Sequence, residues 1–146
     1  MSSVLDVAKY ILEKTGEMTA MKLQKLVYYS QAWSLVWDES VLFDEGIEAW
    51  ANGPVVRRLY DMHKGQFKVC ASNIPGDSRK LTDSQQETVN GVLEFYGNKT
   101  AQWLSDLTHM ETPWKEAREE AGLKDGERGF DVIISTASMH EYYSSL

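Results

Sequence analysis

The chain has 146 residues, a formal net charge of -7, 42% hydrophobic residues and a single cysteine. This length suits one domain, 1–146, able to bury roughly 68–70% of the surface its unfolded form would expose. One thiol rules out an internal disulfide or a cysteine-built metal site, no apolar run approaches the roughly 20 residues that span a bilayer, and the negative charge argues against a protein that holds nucleic acid by itself.

Val4 to Lys14 places Val4, Leu5, Val7, Ala8, Ile11 and Leu12 at helical spacing, with Gly16 as the stop. A second helix opens near Thr19, a candidate N-cap, and carries one stripe through Leu23, Leu26, Val27, Ser30, Trp33 and Trp37. Lys22 and Lys25 fall outside that stripe, and Asp38-Glu39 marks a break. Val41 to Phe43, the turn residues Asp44-Glu45-Gly46 and the alternation from Ile47 to Ala51 predict a small hairpin or paired extended segment, ended by Asn52-Gly53. Pro54 then suits the first position of a helix carrying Val55, Val56, Leu59, Tyr60 and Met62.

Residues 65–81 lack a clean period and predict an irregular connection, with a turn at Ile74-Pro75-Gly76-Asp77. Thr82 and Gln85 fit a capping box for a helix through Val89, Val92, Leu93 and Tyr96 to Gly97. A short helix follows from about Thr100 through Trp103, Leu104 and Leu107. Another starts at Pro113, carries Trp114, Ala117 and Ala121, and ends at Gly122. A polar, glycine-rich loop leads to the apolar patch Phe130, Val132, Ile133 and Ile134. The last helix begins near Ser135 and includes Met139, Tyr142 and Tyr143. The expected fold class is mainly α: a single compact helical domain with a small antiparallel β element.

Catalytic, cofactor and metal motifs are absent from this sequence. His63, His109 and His140 lie far apart and outside any HExxH or Cys/His run, and neither a Walker A loop nor GxGxxG nor GxSxG occurs. Nothing around Cys70 points to an activated thiol. No enzyme activity is expected, and with no basic-then-apolar leader the protein reads as cytoplasmic.

Two segments stand out. In KLQKLVYYSQAW, Tyr28, Tyr29 and Trp33 lie within six residues, and neighbouring helix positions differ by about 100°. Either a second layer of helices covers some of these rings or they form an aromatic binding face. In EAWANGPVVRRLY, Asn52-Gly53-Pro54 makes a tight corner over Trp50. Gly53 is expected in a conformation that a side chain would strain, and Trp50 and Trp114 are expected to be largely buried. Arg57 and Arg58 are either architectural or engage an acidic or phosphate group.

These segments, in this order, resemble the Panacea domain, the SocA-like antitoxin domain of phage-associated and toxin–antitoxin proteins. Leu23-Gln24-Lys25-Leu26 with Tyr28-Tyr29 is similar to its LQKLxYY element, and Phe43-Asp44-Glu45 with Ile47-Glu48-Ala49-Trp50 to its FDExIEAW segment. Gly53-Pro54-Val55-Val56 is similar to its GPVV corner, and Leu107-Thr108-His109 with Pro113-Trp114 to its LTH…PW element. The resemblance implies a mostly helical fold and an antitoxin that neutralises a protein toxin by binding or, alternatively, acts as an adaptor delivering a toxin or client to a protease. Many members add a DNA-binding segment; the domain fills these 146 residues, so no direct DNA binding and no membrane association are expected.

Toxins paired with such domains often act on RNA or nucleotides and tend to carry basic active sites, as the resemblance implies. Residues 74–146 carry 13 acidic and 7 basic groups, against 9 and 8 in residues 1–73. Asp106, Glu111, Glu116, Glu119 and Glu120, which flank His109 and Trp114, are therefore candidate toxin contacts. Tyr28, Tyr29, Arg57 and Arg58 form the competing surface.

Overall fold

Ser3 opens the first helix, α1 (Val4–Thr15), by accepting the Asp6 N–H while the Asp6 carboxylate accepts the Ser3 N–H, in a computed structural model that describes residues 2–146. Asp6 also accepts the Asp77 N–H at 2.8 Å, which ties the helix start to the distant connection. Burial opposes its charge, but those backbone donors hold its carboxyl below the usual range.

The strand β1 (Met18–Thr19) leads into the long helix α2 (Ala20–Trp37), capped as expected by the Thr19 hydroxyl on the Lys22 N–H. α2 is the axis of the fold. It packs against α1, against a hairpin formed by β2 (Glu48–Trp50) and β3 (Gly53–Val55), and against α4 (Asp83–Tyr96), α5 (Ala101–Met110) and α7 (Thr136–Ser144). A helix surrounded in this way is buried nearly all round rather than along one stripe. Tyr28, Tyr29 and even Lys25 are therefore buried, although Lys25 falls outside the apolar stripe.

After β3 come the short helix α3 (Arg57–His63) and β4 (Lys68–Val69), which pairs antiparallel with β1 through Met18↔Val69 and Thr19↔Lys68. Two 3-10 turns, Ala71–Asn73 and Ser78–Lys80, complete the irregular connection. The Thr82/Gln85 capping box starts α4, the Thr100 hydroxyl caps α5, and the Ser135 hydroxyl caps α7. Between α5 and α7 lies α6 (Thr112–Glu120), with Pro113 in its first turn. The described residues thus form a mainly helical protein with two small antiparallel sheets.

The hairpin forms, but not where the alternation placed it. β2 and β3 pair through Glu48↔Val55, Ala49↔Pro54 and Trp50↔Gly53, so Ala51-Asn52 forms the turn and Gly53 and Pro54 lie in a strand. α3 starts at Arg57, three residues after Pro54. Val41 to Phe43 is not a strand. The Gln31 side chain takes a partner strand's place, accepting the Leu42 N–H at 2.7 Å and donating to Phe43 O at 2.8 Å. The free edge of β2 is covered by residues 132–134, where the Ala49 N–H donates to Val132 O and the Ile134 N–H to Ile47 O, both at 2.8 Å.

Candidate functional site

Side chains from three helices hold the hairpin backbone almost residue by residue. Arg118 Nη1 donates to Ala49 O at 2.9 Å, and Trp114 Nε1 donates to Trp50 O at 2.9 Å. His109 reaches Ala51 O with Nε2 at 3.0 Å, its Nδ1 lying on Ser105 O at 2.6 Å, and the Ser105 hydroxyl donates to Asn52 O at 2.7 Å. From α2, Lys25 Nζ donates to Pro54 O at 3.2 Å. Gln24 accepts the Val56 N–H at 2.9 Å and donates to Val56 O at 3.3 Å. A hairpin of three-residue strands cannot satisfy its own backbone, and a buried carbonyl left without a donor costs about 1–3 kcal/mol. The residue types found at Gln24, Lys25, His109 and Trp114 are those that such a rail of carbonyls requires.

Gln24 also donates to His63 Nε2 at 2.9 Å, an arrangement that needs this nitrogen unprotonated. Burial, with help from the Lys25 charge, pulls the His63 ring below its ordinary value. Gly53 closes the corner with a φ of +121°. A Cβ there would stand 2.6 Å from Lys25 Cε.

A second cluster lies further along α2. The Tyr29 and Tyr143 hydroxyls both donate to Glu111 Oε1 at 2.7 Å. Tyr143 commits its one proton there, so the Tyr28 hydroxyl, 3.0 Å away, donates to Tyr143. Burial pushes the carboxyl of Glu111 up and pushes the hydroxyls of Tyr28, Tyr29 and Tyr143 well above their usual range. Tyr29 stacks on Tyr96 with ring centroids 4.2 Å apart, and Trp33 Nε1 donates to the Tyr96 hydroxyl at 3.0 Å. Glu111 Oε2 has no hydrogen-bond partner among the described residues yet is not a buried orphan. That oxygen keeps contact with solvent.

Glu111 also lines a groove of about 640 Å³ between α2, α4, α5 and α7. Trp33, Trp37, Phe95, Trp103, Met110 and Tyr142 line it with Glu111. Phe95 is 61% exposed and Met110 67%, and Trp37 and Trp103 are exposed as well. Gly91, inside α4, leaves room for the Trp37 ring: a Cβ there would meet Trp37 at 3.3 Å. Glycine within a helix costs about 1 kcal/mol against alanine, so the groove is formed at the expense of helix stability. Beside it, Glu116 and Glu141 line a neighbouring cleft that shares Tyr142.

The sequence model of antitoxin SocA-like proteins, the Panacea domain, matches residues 23–115. The chain belongs to that family. No curated protein and no solved structure matches it. The matched stretch of this Panacea-domain protein holds the hairpin and most of its clamps, together with Trp33, Trp37, Phe95, Trp103, Met110 and Glu111; Arg118, Tyr142 and Tyr143 lie beyond it.

The residues singled out in the sequence fall in three places. Tyr28, Tyr29 and Glu111 come together, but in the interior. The second layer of helices covers both tyrosines, and they are not an exposed aromatic face. Arg57 is 2.8 Å from Glu48 and 3.5 Å from Asp131, and Arg58 pairs with Glu45, so both arginines meet the protein's own carboxylates. Asp106, Glu116, Glu119 and Glu120 are exposed on α5 and α6, while His109 turns inward to the hairpin and packs at a tilt against Trp114, ring centroids 4.0 Å apart. Trp114 is buried as expected. Trp50 is only half-buried, because its ring, packed against Tyr60 of α3 and Phe130, lines an open cavity.

Sequence reasoning missed Trp37, Phe95, Trp103 and Met110 as surface residues, since an exposed aromatic and a core aromatic leave the same mark in a periodic pattern. Among the described residues, no helix is long and apolar enough to cross a membrane. Among the described residues, no group of three or more His, Cys, Asp or Glu side chains could hold a metal ion.

Proposed function

We propose that this protein is an antitoxin that neutralises a cognate protein toxin by direct binding, with 1–146 acting as one unit and the aromatic groove as its docking surface. The observation that carries the reading is the cluster of exposed Trp37, Phe95, Trp103 and Met110 along one groove. Contiguous exposed apolar surface with rigid aromatic anchors is the usual signature of a protein contact, and such anchors supply most of the binding energy. The groove's charge specifies the partner further. Glu111, whose Oε2 has no hydrogen-bond partner among the described residues, lines its wall, and Glu116 and Glu141 lie just beyond Tyr142. The toxin segment that fits is apolar and carries a lysine or arginine for Glu111. Glu119 and Glu120, exposed on α6, steer a basic toxin from longer range.

The groove is favoured over the arginine surface because Arg57 and Arg58 are already engaged by Glu48 and Glu45. Binding needs no catalytic group of the antitoxin, no cofactor and no DNA contact. The test is co-expression with the toxin encoded beside it. The wild-type protein restores growth, while the Phe95→Ala/Trp103→Ala double variant, altered only at exposed rings, does not. If the toxin persists in rescued cells, neutralisation is by occlusion; if it disappears, the antitoxin hands it to a protease. Rescue by the double variant contradicts the proposed surface.

A further inference from the structure

A second cavity, of about 430 Å³, lies between the start of α2, the hairpin, α3 and the loop 126–130, and shares no residue with the groove. Its volume falls in the range of small-ligand sites. The walls are aromatic: Trp50 meets Tyr60 and Phe130 edge-to-face, with centroids 4.9 and 4.8 Å away. Lys25, Gln24 and His63 contribute polar groups, and Arg128 stands on the loop. The outer wall is firmly seated. Arg118 Nη2 donates to Lys124 O and Glu127 O at 2.9 and 2.7 Å, and Gly129 lies so close to Ala49 O that no Cβ fits.

The cavity's charge is unusual for this molecule. The protein has 22 acidic residues, yet none lines this cavity, whereas Lys25 and Arg128 do. Lys25 is 1% exposed, forms no ion pair among the described residues and has one acceptor, Pro54 O at 3.2 Å. Arg118, the other buried cation, shows what full satisfaction looks like here: three carbonyl oxygens share its guanidinium. An ammonium has three protons to donate, and burying it without a counter-charge is costly. Burial pulls Lys25 down to about 8, so at pH 7 it still carries its charge.

We propose that this cavity binds an aromatic carboxylate, its anionic group meeting the Lys25 ammonium and its ring packing against Trp50, Tyr60 and Phe130. One buried ammonium matches one negative charge; a phosphate dianion calls for a denser set of donors. The same chemistry has two sources, a free aromatic acid or the C-terminal aromatic residue of a polypeptide.

The test is an NMR titration of the full-length protein at pH 7, following the Trp50 indole N–H, which is assigned by its loss in Trp50→Phe. The probes are 3-phenylpropionate, N-acetyl-L-phenylalanine, its C-terminal amide, and the peptide Ala-Ala-Phe with a free carboxylate. The acids shift the Trp50 signal saturably, and the amide binds on the order of tenfold more weakly or not at all. Lys25→Met removes the preference for acid over amide. Because Lys25 also supports the hairpin, Phe130→Ala, an exposed loop position, serves as the second variant and weakens the acids severalfold without moving the unfolding midpoint. Equal affinity for 3-phenylpropionate and the peptide identifies a free acid as the ligand class, and a clear gain for the peptide identifies a polypeptide carboxyl terminus. No saturable shift with any acid, or equal shifts with acid and amide, overturns the proposal.

Discussion

The Tyr29 hydroxyl donates to Glu111 Oε1 at 2.7 Å, and by doing so it divides the carboxylate into two halves with different work. Oε1, shared with Tyr143, belongs to the core, while Oε2 has no hydrogen bond among the described residues and Glu111 lines the groove. This division lets fold and binding be separated by one substitution. In Glu111→Gln the amide oxygen can still accept both hydroxyls, but no charge remains for a partner's cation. The folded carboxyl sits above its unfolded value, so its protonated form favours folding and its ionised form costs stability at neutral pH. Glu111→Gln is therefore expected to unfold at the same temperature or higher at pH 7 and to lose toxin neutralisation. Glu111→Ala, which strands two buried hydroxyls, is expected to cost roughly 2–4 kcal/mol. Thermal unfolding and the growth assay check both.

Gly53→Val tests the corner. At φ +121° a β-branched residue is strained by about 1–3 kcal/mol, and its Cβ collides with Lys25 as well. Denaturant melts should show at least that loss, with the hairpin contacts of Lys25 and His109 disturbed together.

Stability should rise and then fall with alkaline pH. The folded Lys25 value, about 8, lies below the unfolded 10.5, so the unfolded form holds a proton the folded form has released. That difference adds about 2 kcal/mol between roughly pH 7.5 and 9.5. Above about pH 10 the sign reverses. Tyr28, Tyr29 and Tyr143 are held far up by burial, and Tyr96 is pushed up to about 12, so only the unfolded form ionises its tyrosines. Urea melts across this range check the curve, and Lys25→Met should abolish the rise while keeping the fall.

Reversing Glu116, Glu119 and Glu120 to Lys should slow toxin association and flatten its salt dependence. All three are exposed on α6, so the unfolding midpoint should not move. Stopped-flow rates at two ionic strengths decide it. Unchanged rates at low salt would make the acidic face solvent surface only.

Most helix starts were legible because the signals are local: Thr19, Thr82, Thr100 and Ser135 each cap the helix that follows with their own hydroxyl. The hairpin register was not legible, because distant residues decide it. Gln31 occupies the backbone of Leu42 and Phe43, and Gln24 occupies that of Val56, leaving Pro54 to lie in a strand where its local preference indicates a helix start. The burial of Lys25, outside the apolar stripe, was not legible for the same reason, since the corner that covers it arrives about 30 residues later in the sequence. In the candidate site, Glu111 stood out by its charge beside the LTH…PW element. The groove around it did not stand out, for Trp37 and Trp103 carry the same periodic pattern whether a helix covers them or water does.

Docking through the aromatic groove is decided by the affinity of the purified protein for its cognate toxin, compared with that of the Phe95→Ala/Trp103→Ala variant. The expected loss is on the order of 100-fold or more in Kd, as when two aromatic anchors are removed, with an unchanged unfolding midpoint. Wild-type affinity in that folded double variant would refute the groove as the toxin-binding surface.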